Sequence, residues 1–438
     1  MKPPPSSAQF ATQGTSGESG EPEITARKLR VAVVCLLGQL ITSNIFISAS
    51  LPVLMLPMTR EFGWTRAEFA YSITALMWFG AVTMPLLGRF ADRFGVRPVI
   101  LGGTLVTAVV TLGLSYQTAN LWRFWLFFAV IGISSSSVGI CNSKVIGELF
   151  HRRRGAALAI LALTFPLGMA IAPQFANILL KHFDWRGVFA GNGVLMLAVL
   201  LLLYFGLEEP ARVSATHDPK PAGERSLPSQ MEGLTAAEVR RSKNLWLVIA
   251  ASVISGAPTL GWIQHLVAFA VGRGFSQAAA VNVFTITALV GVFVTLLCGY
   301  LVDRAPTARI FVPFALASAV GYCFLMVCSA QFGGLSMLII GMVLGFMSLT
   351  AQNSFDAYFY TRFFGMKAFA ETFGIHLAFI TITSGLAPPL IGMLFDRTGS
   401  YGATLVLALI AQVIGACLFM FVGPYRYAAV RGLPHGRR

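Results

Sequence analysis

Apolar residues in this chain do not alternate with polar ones at the period of a strand, nor at that of a helix with one wet face. They come in nearly unbroken runs, and a helix needs roughly 20 such residues to cross the hydrocarbon of a bilayer. Twelve runs of about that length occur, at 31–57, 67–88, 98–117, 121–148, 156–181 and 185–207, then at 245–270, 279–301, 308–328, 333–358, 368–394 and 401–424. The pattern predicts an all-α membrane protein with twelve transmembrane helices in two six-helix halves. Between the sets lies 208–244, which carries Pro210, Pro219, Pro221, Pro228 and many charges and reads as an exposed linker. The expected organisation is therefore a disordered tail over 1–30, a first half over 31–207, the linker, a second half over 245–424 and a basic tail over 425–438.

Composition agrees with the pattern. Of the 438 residues 56% are hydrophobic and 11% charged, too little polar surface to cover a soluble globule. The net charge of +14 would suit a nucleic-acid binder if it were gathered in one patch, but the basic residues are strung between apolar runs. Their placement gives an orientation instead. The two tails and the even-numbered loops, with the span ends beside them, hold 24 of the 32 Lys and Arg, the odd-numbered loops hold 7, and Lys144 lies within a span. That bias predicts both termini inside, in an inner or plasma membrane. Residues 1–23 are rich in Pro, Ser, Gly and Thr without an apolar core, so no secretory signal is read there. The six cysteines all lie in apolar segments without ligand spacing and read as packing residues, so neither a metal nor a cofactor is expected.

The halves look like copies. Gly88 and Gly299 stand 211 residues apart, as do Asp92 and Asp303, and as do Arg186 and Arg397, while Gly155 and Gly365 stand 210 apart. A repeat with an even number of spans inserts the same way up each time, so the two halves are predicted to be related by a pseudo-twofold axis along the membrane normal.

The charged stretch between the second and third runs, Gly88-Arg89-Phe90-Ala91-Asp92-Arg93-Phe94-Gly95-Val96-Arg97, resembles the loop signature of the major facilitator superfamily. Phe90 stands where Leu is usual and Val96 where a basic residue is often found. The resemblance implies that Gly88, Asp92, Arg93, Gly95 and Arg97 latch the two halves together on the cytoplasmic side, with Asp303 and Arg304 as a second copy. Phe62-Gly63-Trp64-Thr65-Arg66 and Phe150-His151-Arg152-Arg153-Arg154-Gly155-Ala156-Ala157-Leu158-Ala159 resemble the branch of monocarboxylate transporters and oxalate/formate exchangers. Ala159 stands where that branch usually has Gly. That likeness implies a small organic anion, moved with a proton or in exchange for another anion. The branch usually holds its carboxylate with an arginine in span eight, and its exchangers use a lysine in span eleven. Here the run 279–301 has no charged residue and span eleven offers His376 instead of a lysine.

An ionised side chain at mid-bilayer costs about 2.5–3.5 kcal/mol on insertion scales, so polar residues within the runs are the candidates for function. Asp356 is a candidate for proton coupling, against an interfacial pairing with Arg362. Lys144 and Glu148 share a helix face four residues apart, either as a coupling pair or as a structural one. His265 and His376 can titrate near neutral pH and donate to a carboxylate. Asn44, Gln264, His265, Asn353 and His376 are expected to line a central cavity. Pro85, Pro166, Pro173, Pro258 and Pro388-Pro389 are expected to interrupt their helices beside it.

No phosphate-cradling Gly-rich loop with Lys-Ser/Thr, no His-Glu-x-x-His and no Cys/His cluster is found, which excludes the common membrane enzymes and ATP-driven pumps. The reading is a monomeric secondary transporter whose partners are the bilayer, a small carboxylate and a proton, with no nucleic acid. Its alternatives are proton-driven efflux of lipophilic compounds and a non-transporting sensor of the same fold.

Overall fold

The computed structural model describes residues 26–150, 160–207, 233–302, 304–365 and 367–426. Among them the chain is helical apart from turns and two isolated bridges. The first six-span group comprises α1 (Ala26–Thr42), α2 (Asn44–Phe62), α3 (Arg66–Phe94), α4 (Val96–Leu114), α5 (Leu121–Leu149), α6 (Thr164–His182) and α7 (Trp185–Gly206). After the short α8 (Ala236–Arg241) the second group follows: α9 (Lys243–Gly272), α10 (Gln277–Val302), α11 (Val312–Val327), α12 (Gly334–Gly345), α13 (Met347–Phe364), α14 (Phe369–Thr398) and α15 (Gly402–Met420). Twelve stretches among the described residues are long and apolar enough to span a membrane, α1 with α2 and α12 with α13 each forming one of them.

Local chemistry starts the helices where the sequence places a cap. Asn120 accepts from the Arg123 N–H at the head of α5, and Asp184 accepts from the Gly187 N–H at the head of α7. At α3, Thr65 and Glu68 form a reciprocal capping box. Between α3 and α4 the chain turns at Gly95, whose φ of 93° is open to glycine and strained for other residues.

Two expectations are corrected here. The helices run on through Pro85, Pro173, Pro258 and Pro388-Pro389; the fifth span does break beside Pro166, at Leu163, so that the proline falls in the first turn of α6, where its missing N–H costs nothing. The first span is interrupted at Ser43, in extended conformation (φ −76°, ψ 160°), and the tenth at Phe346. The stretch read as linker also ends in structure: α8 is capped by its own Thr235–Glu238 box, while 208–232 lie outside the described residues.

Packing differs between the two ends of the bundle. On the face opposite the 88–97 hinge, one continuous core joins both groups, running from Phe46, Trp64 and Phe69 of the first to Trp262, Phe269 and Tyr401 of the second. On the hinge face the core divides. One cluster, around Val31, Ile100, Cys141 and Leu203, belongs wholly to the first group, and another, around Leu245, Phe311, Phe355 and Phe419, belongs to the second. The molecule is thus sealed at one end and split at the other.

Candidate functional site: a cavity between the halves

The split encloses a cavity of about 760 Å³ on the hinge side of the shared core. Ile263, Leu266, Phe284 and Met342 roof it, and Ser143, Leu161, Thr295 and Ser354 lie toward the hinge face. Three interrupted spans reach it, through Ile45 next to the break at Ser43, through Leu163 and through Phe346. Broken helices at membrane depth are tolerated where they line a cavity. Its wall is mostly aliphatic and aromatic. The polar lining is neutral: Gln39, Ser143, Thr164, Thr287, Thr295, Thr350, Asn353 and Ser354. No Asp, Glu, Lys, Arg or His lines it among the described residues.

Of the five residues expected at the cavity, Asn353 is in its wall. Asn44 instead receives a hydrogen bond from the Ser135 hydroxyl, and Gln264 is buried. His265 is fully buried on the closed side, where its Nε2–H donates to the Pro388 carbonyl at 2.8 Å and its Nδ1 accepts from the Tyr401 hydroxyl at 3.0 Å. Those partners fix the neutral Nε2–H tautomer, because a carbonyl can only accept. His376 is likewise wholly buried, 2.8 Å from Asp356, whose second oxygen accepts from Ser252 at 3.1 Å. Arg362, the partner considered for Asp356, donates to the Tyr358 hydroxyl. The imidazoles left the cavity wall because each finds a fixed partner on a neighbouring helix, which a solvated wall could not supply.

The closed end is built from contacts between the halves. The first N–H groups of α3 have no helical acceptor; those of Arg66 and Ala67 donate to the two carboxylate oxygens of Asp396, at the end of α14, at 3.2 and 3.0 Å. A carboxylate at a helix N-terminus also meets the positive end of the helix dipole. The Arg66 guanidinium lies 3.5 Å over the Phe395 ring and donates to the Tyr401 hydroxyl. Burial holds that phenol above the ordinary tyrosine value, so it keeps its proton for His265. Deeper in, the Thr74 hydroxyl donates to the Gly385 carbonyl at 2.6 Å. Pro389, four residues on, has no N–H to offer that carbonyl, so a residue of the other half replaces the missing helical bond. Gly392 lets the helices touch: a Cβ there would lie 2.6 Å from the Ala67 backbone nitrogen. Between α6 and α10, Gln174 donates to Asn282 at 2.9 Å and Thr285 to the Ala170 carbonyl at 3.0 Å.

The hinge shows the reverse. Asp92 accepts from Lys144 of α5 at 2.7 Å, in a largely exposed pair. The pairing anticipated for Lys144 with Glu148 falls on a side chain outside the described residues. Arg97 donates to the Tyr204 carbonyl at 2.7 Å, Arg93 lies over Phe94, and Arg304 lies 3.6 Å over the Tyr300 ring. All these partners belong to the same half as the hinge residue they meet. An added Cβ at Gly88 or at Gly299 would meet nothing within 4 Å, so no helix is drawn against either. Asp303 and Arg152–Arg154 lie outside the described residues.

Sequence reasoning missed the sealing residues, although Arg66 ends one of the quoted motifs and Asp396 adjoins the repeat anchor Arg397. Two glycines seven apart on α14, Gly385 and Gly392, were the available signal, since small residues on one face mark a close helix crossing.

The comparisons with known proteins agree with this geometry. The chain is 23% identical over 394 residues to a gallate transporter of Pseudomonas putida, covering 80% of this chain and 85% of that one. It is 24% identical over 379 residues to monocarboxylate transporter 4 of Gallus gallus, covering 84% and 77%. With the multidrug transporter MdfA of Edwardsiella piscicida it shares 31% over 228 residues, 51% of this chain and 52% of that one. The fold matches the crystal structure of a bacterial homolog of the human lysosomal transporter Spinster, inward-facing and unoccupied, with a TM-score of 0.72 at 17% identity, over 93% of this chain and all of that one. The relatives belong to more than one branch, so the likeness fixes no branch. The family model of the Major Facilitator Superfamily matches residues 36–366, and with the twelve-span bundle and its central cavity this places the chain in that superfamily, as a secondary transporter and not an enzyme.

Proposed function

We propose that this transporter carries a small weak organic acid with an apolar or aromatic body, together with a proton, by alternating access. The observation that carries the reading is the uncharged cavity wall. Among the described residues the wall offers a carboxylate no counter-ion, and binding the anion with no proton entering the carrier would add an uncompensated charge to a low-dielectric site, which is costly. Carried together with a proton, the same acid crosses as a net neutral load. The aromatic wall, with Phe165, Phe284 and Phe346, suits a flat ring, and the gallate and monocarboxylate relatives carry names of that chemistry. With the hinge face read as cytoplasmic from the bias of Lys and Arg, the cavity is open inward in this state. The Asp92 cluster is then the latch of the opposite state, released here.

The test is uptake of labelled benzoate into proteoliposomes. Accumulation should follow an acid-outside gradient and ignore an imposed membrane voltage. Uptake driven by voltage alone would contradict the electroneutral load.

A second reading, outward movement of lipophilic compounds, draws on the same apolar wall and on the half-length likeness to a multidrug transporter. Proton-driven transport of tetraphenylphosphonium without any transport of benzoate would select it. Ligand-induced stabilisation with no flux of either compound would select the sensor.

A further inference from the structure

Among the described residues the cavity wall carries no Asp, Glu or His to take up a proton, yet one side-chain cluster set back from it can. We propose that the coupled proton is seated on His376, on its Nδ1, and held there by Asp356, apart from the substrate. The inference rests on the proton-linked reading above and gives that proton a place.

Gln352, Asp356 and Tyr360 stand four apart on α13 and so share one face, next to the face that sends Asn353 and Ser354 into the cavity. That polar face is covered by α9 and α14. Ser252 of α9 donates to Asp356 Oδ1 at 3.1 Å, and His376 of α14 meets Oδ2 through Nε2 at 2.8 Å. The His376 ring stacks on Phe373 and takes the edge of Tyr360. A carboxylate accepts only, so Nε2 carries the hydrogen and Nδ1 presents a lone pair. Among the described residues Nδ1 finds no partner, and neither do the neighbouring Tyr360 hydroxyl and Gln352 Oε1.

The charge balance follows. With Nδ1 bare, the pair is a neutral imidazole beside a carboxylate, net −1, in a site where His376 is wholly buried and Asp356 is 8% exposed. A proton added to Nδ1 makes an imidazolium–carboxylate pair, net zero, with no other bond formed or broken. A buried charge without compensation is the costly state. Closing the site off therefore favours the protonated pair, and wetting it favours release. Few other groups compete. The pair lies eight residues from the hinge end of α13, about 12 Å at 1.5 Å per residue. Tyr360 is the one titratable neighbour in ring contact with His376. At the foot of α14, Glu371 pairs with Arg240 of α8 at 3.2 Å in an exposed position, and Lys243 is exposed at the start of α9. The helices α10 and α15 carry no Asp, Glu, Lys, Arg or His.

Substrate and proton would then be read by adjacent faces of one helix, α13, and coupled through its movement against α9 and α14. The arrangement needs no contact between the two cargoes.

The experiment uses the full chain in lipid nanodiscs with ¹⁵N-labelled histidine, the His376 signal being assigned by its loss in His376→Gln. Between pH 5 and 9 the wild-type ring should pass from imidazolium to neutral, and in Asp356→Asn it should stay neutral throughout. A wild-type His376 that is neutral across that range, or that titrates unchanged in Asp356→Asn, overturns the proposal. In proteoliposomes, Asp356→Asn should lower gradient-driven benzoate uptake about tenfold or more while benzoate exchange at equal pH persists. Retained gradient-driven uptake overturns it as well. Ser252→Ala keeps both charges but takes a donor from the carboxylate, which favours the protonated pair, and should raise the His376 midpoint where the asparagine variant lowers it; it serves if the asparagine variant does not fold, and an unmoved midpoint overturns the proposal. Should wild-type protein move no benzoate at all, the proposed substrate class fails while the histidine spectra still decide where the proton sits.

Discussion

The two ends of this bundle are made from the same kinds of residue and are in opposite states. At the hinge, Asp92 is the carboxylate at the end of α3, and its described partner is a lysine of its own half. At the other face, Asp396 is the carboxylate at the end of α14, and it caps the first turn of α3 in the other half. One core crosses the interface at the closed end, and two separate cores stand apart at the open one. The difference teaches how the proposed switch can work without remaking the interior: each half would keep its own packing, and what would change is which carboxylate finds an unsatisfied helix start across the gap.

The sharpest way to break the contrast is at Gly392. Because an added Cβ would press on the backbone of Arg66 and Ala67, no side-chain adjustment relieves Gly392→Ala. The closed end should be forced apart, with transport lost and a cysteine introduced at Ser72, buried in the present state, becoming reactive to a water-soluble maleimide. Next is Asp396→Ala, which strands two N–H groups at the head of α3 and should cost the closed state about 2–3 kcal/mol, read as a rise in the same labelling. Thr74→Val removes one hydrogen bond to a carbonyl that Pro389 has already left short, a loss of about 1 kcal/mol in the same measurement. At the open end the effect on the present state should be smallest. The Asp92–Lys144 pair is exposed, so Asp92→Asn should change thermal stability by at most about 0.5 kcal/mol while slowing transport, because its role belongs to the other state. The two histidines sharpen the contrast further. His265 is locked as a neutral link in the closed end, so His265→Gln should leave the pH profile of uptake in place, whereas His376→Gln should move it.

The fold was legible because membrane insertion writes itself into the sequence as run length. The site was less so, for physical reasons. Its wall is neutral, and Thr287 or Phe284 cannot be told from packing residues by type. Of the prolines only Pro166 marks a break, at Leu163; the others lie in helices that run on, as where Thr74 takes the Gly385 carbonyl, while the interruption at Ser43 carries no proline. Charged residues were found, but their partners were not. Lys144 reaches Asp92 across 52 positions of chain, and no helical spacing encodes that contact.

The central claim, that the two ends open and close in opposition, is tested most directly by spin-label distances in lipid. One pair would span the hinge face, at Arg89 and Arg304, and one the other face, at the exposed Tyr116 and Phe332. As pH is lowered in the presence of benzoate, one distance should lengthen while the other shortens. Two distances that move together, or that both stay fixed while transport proceeds, would contradict the account.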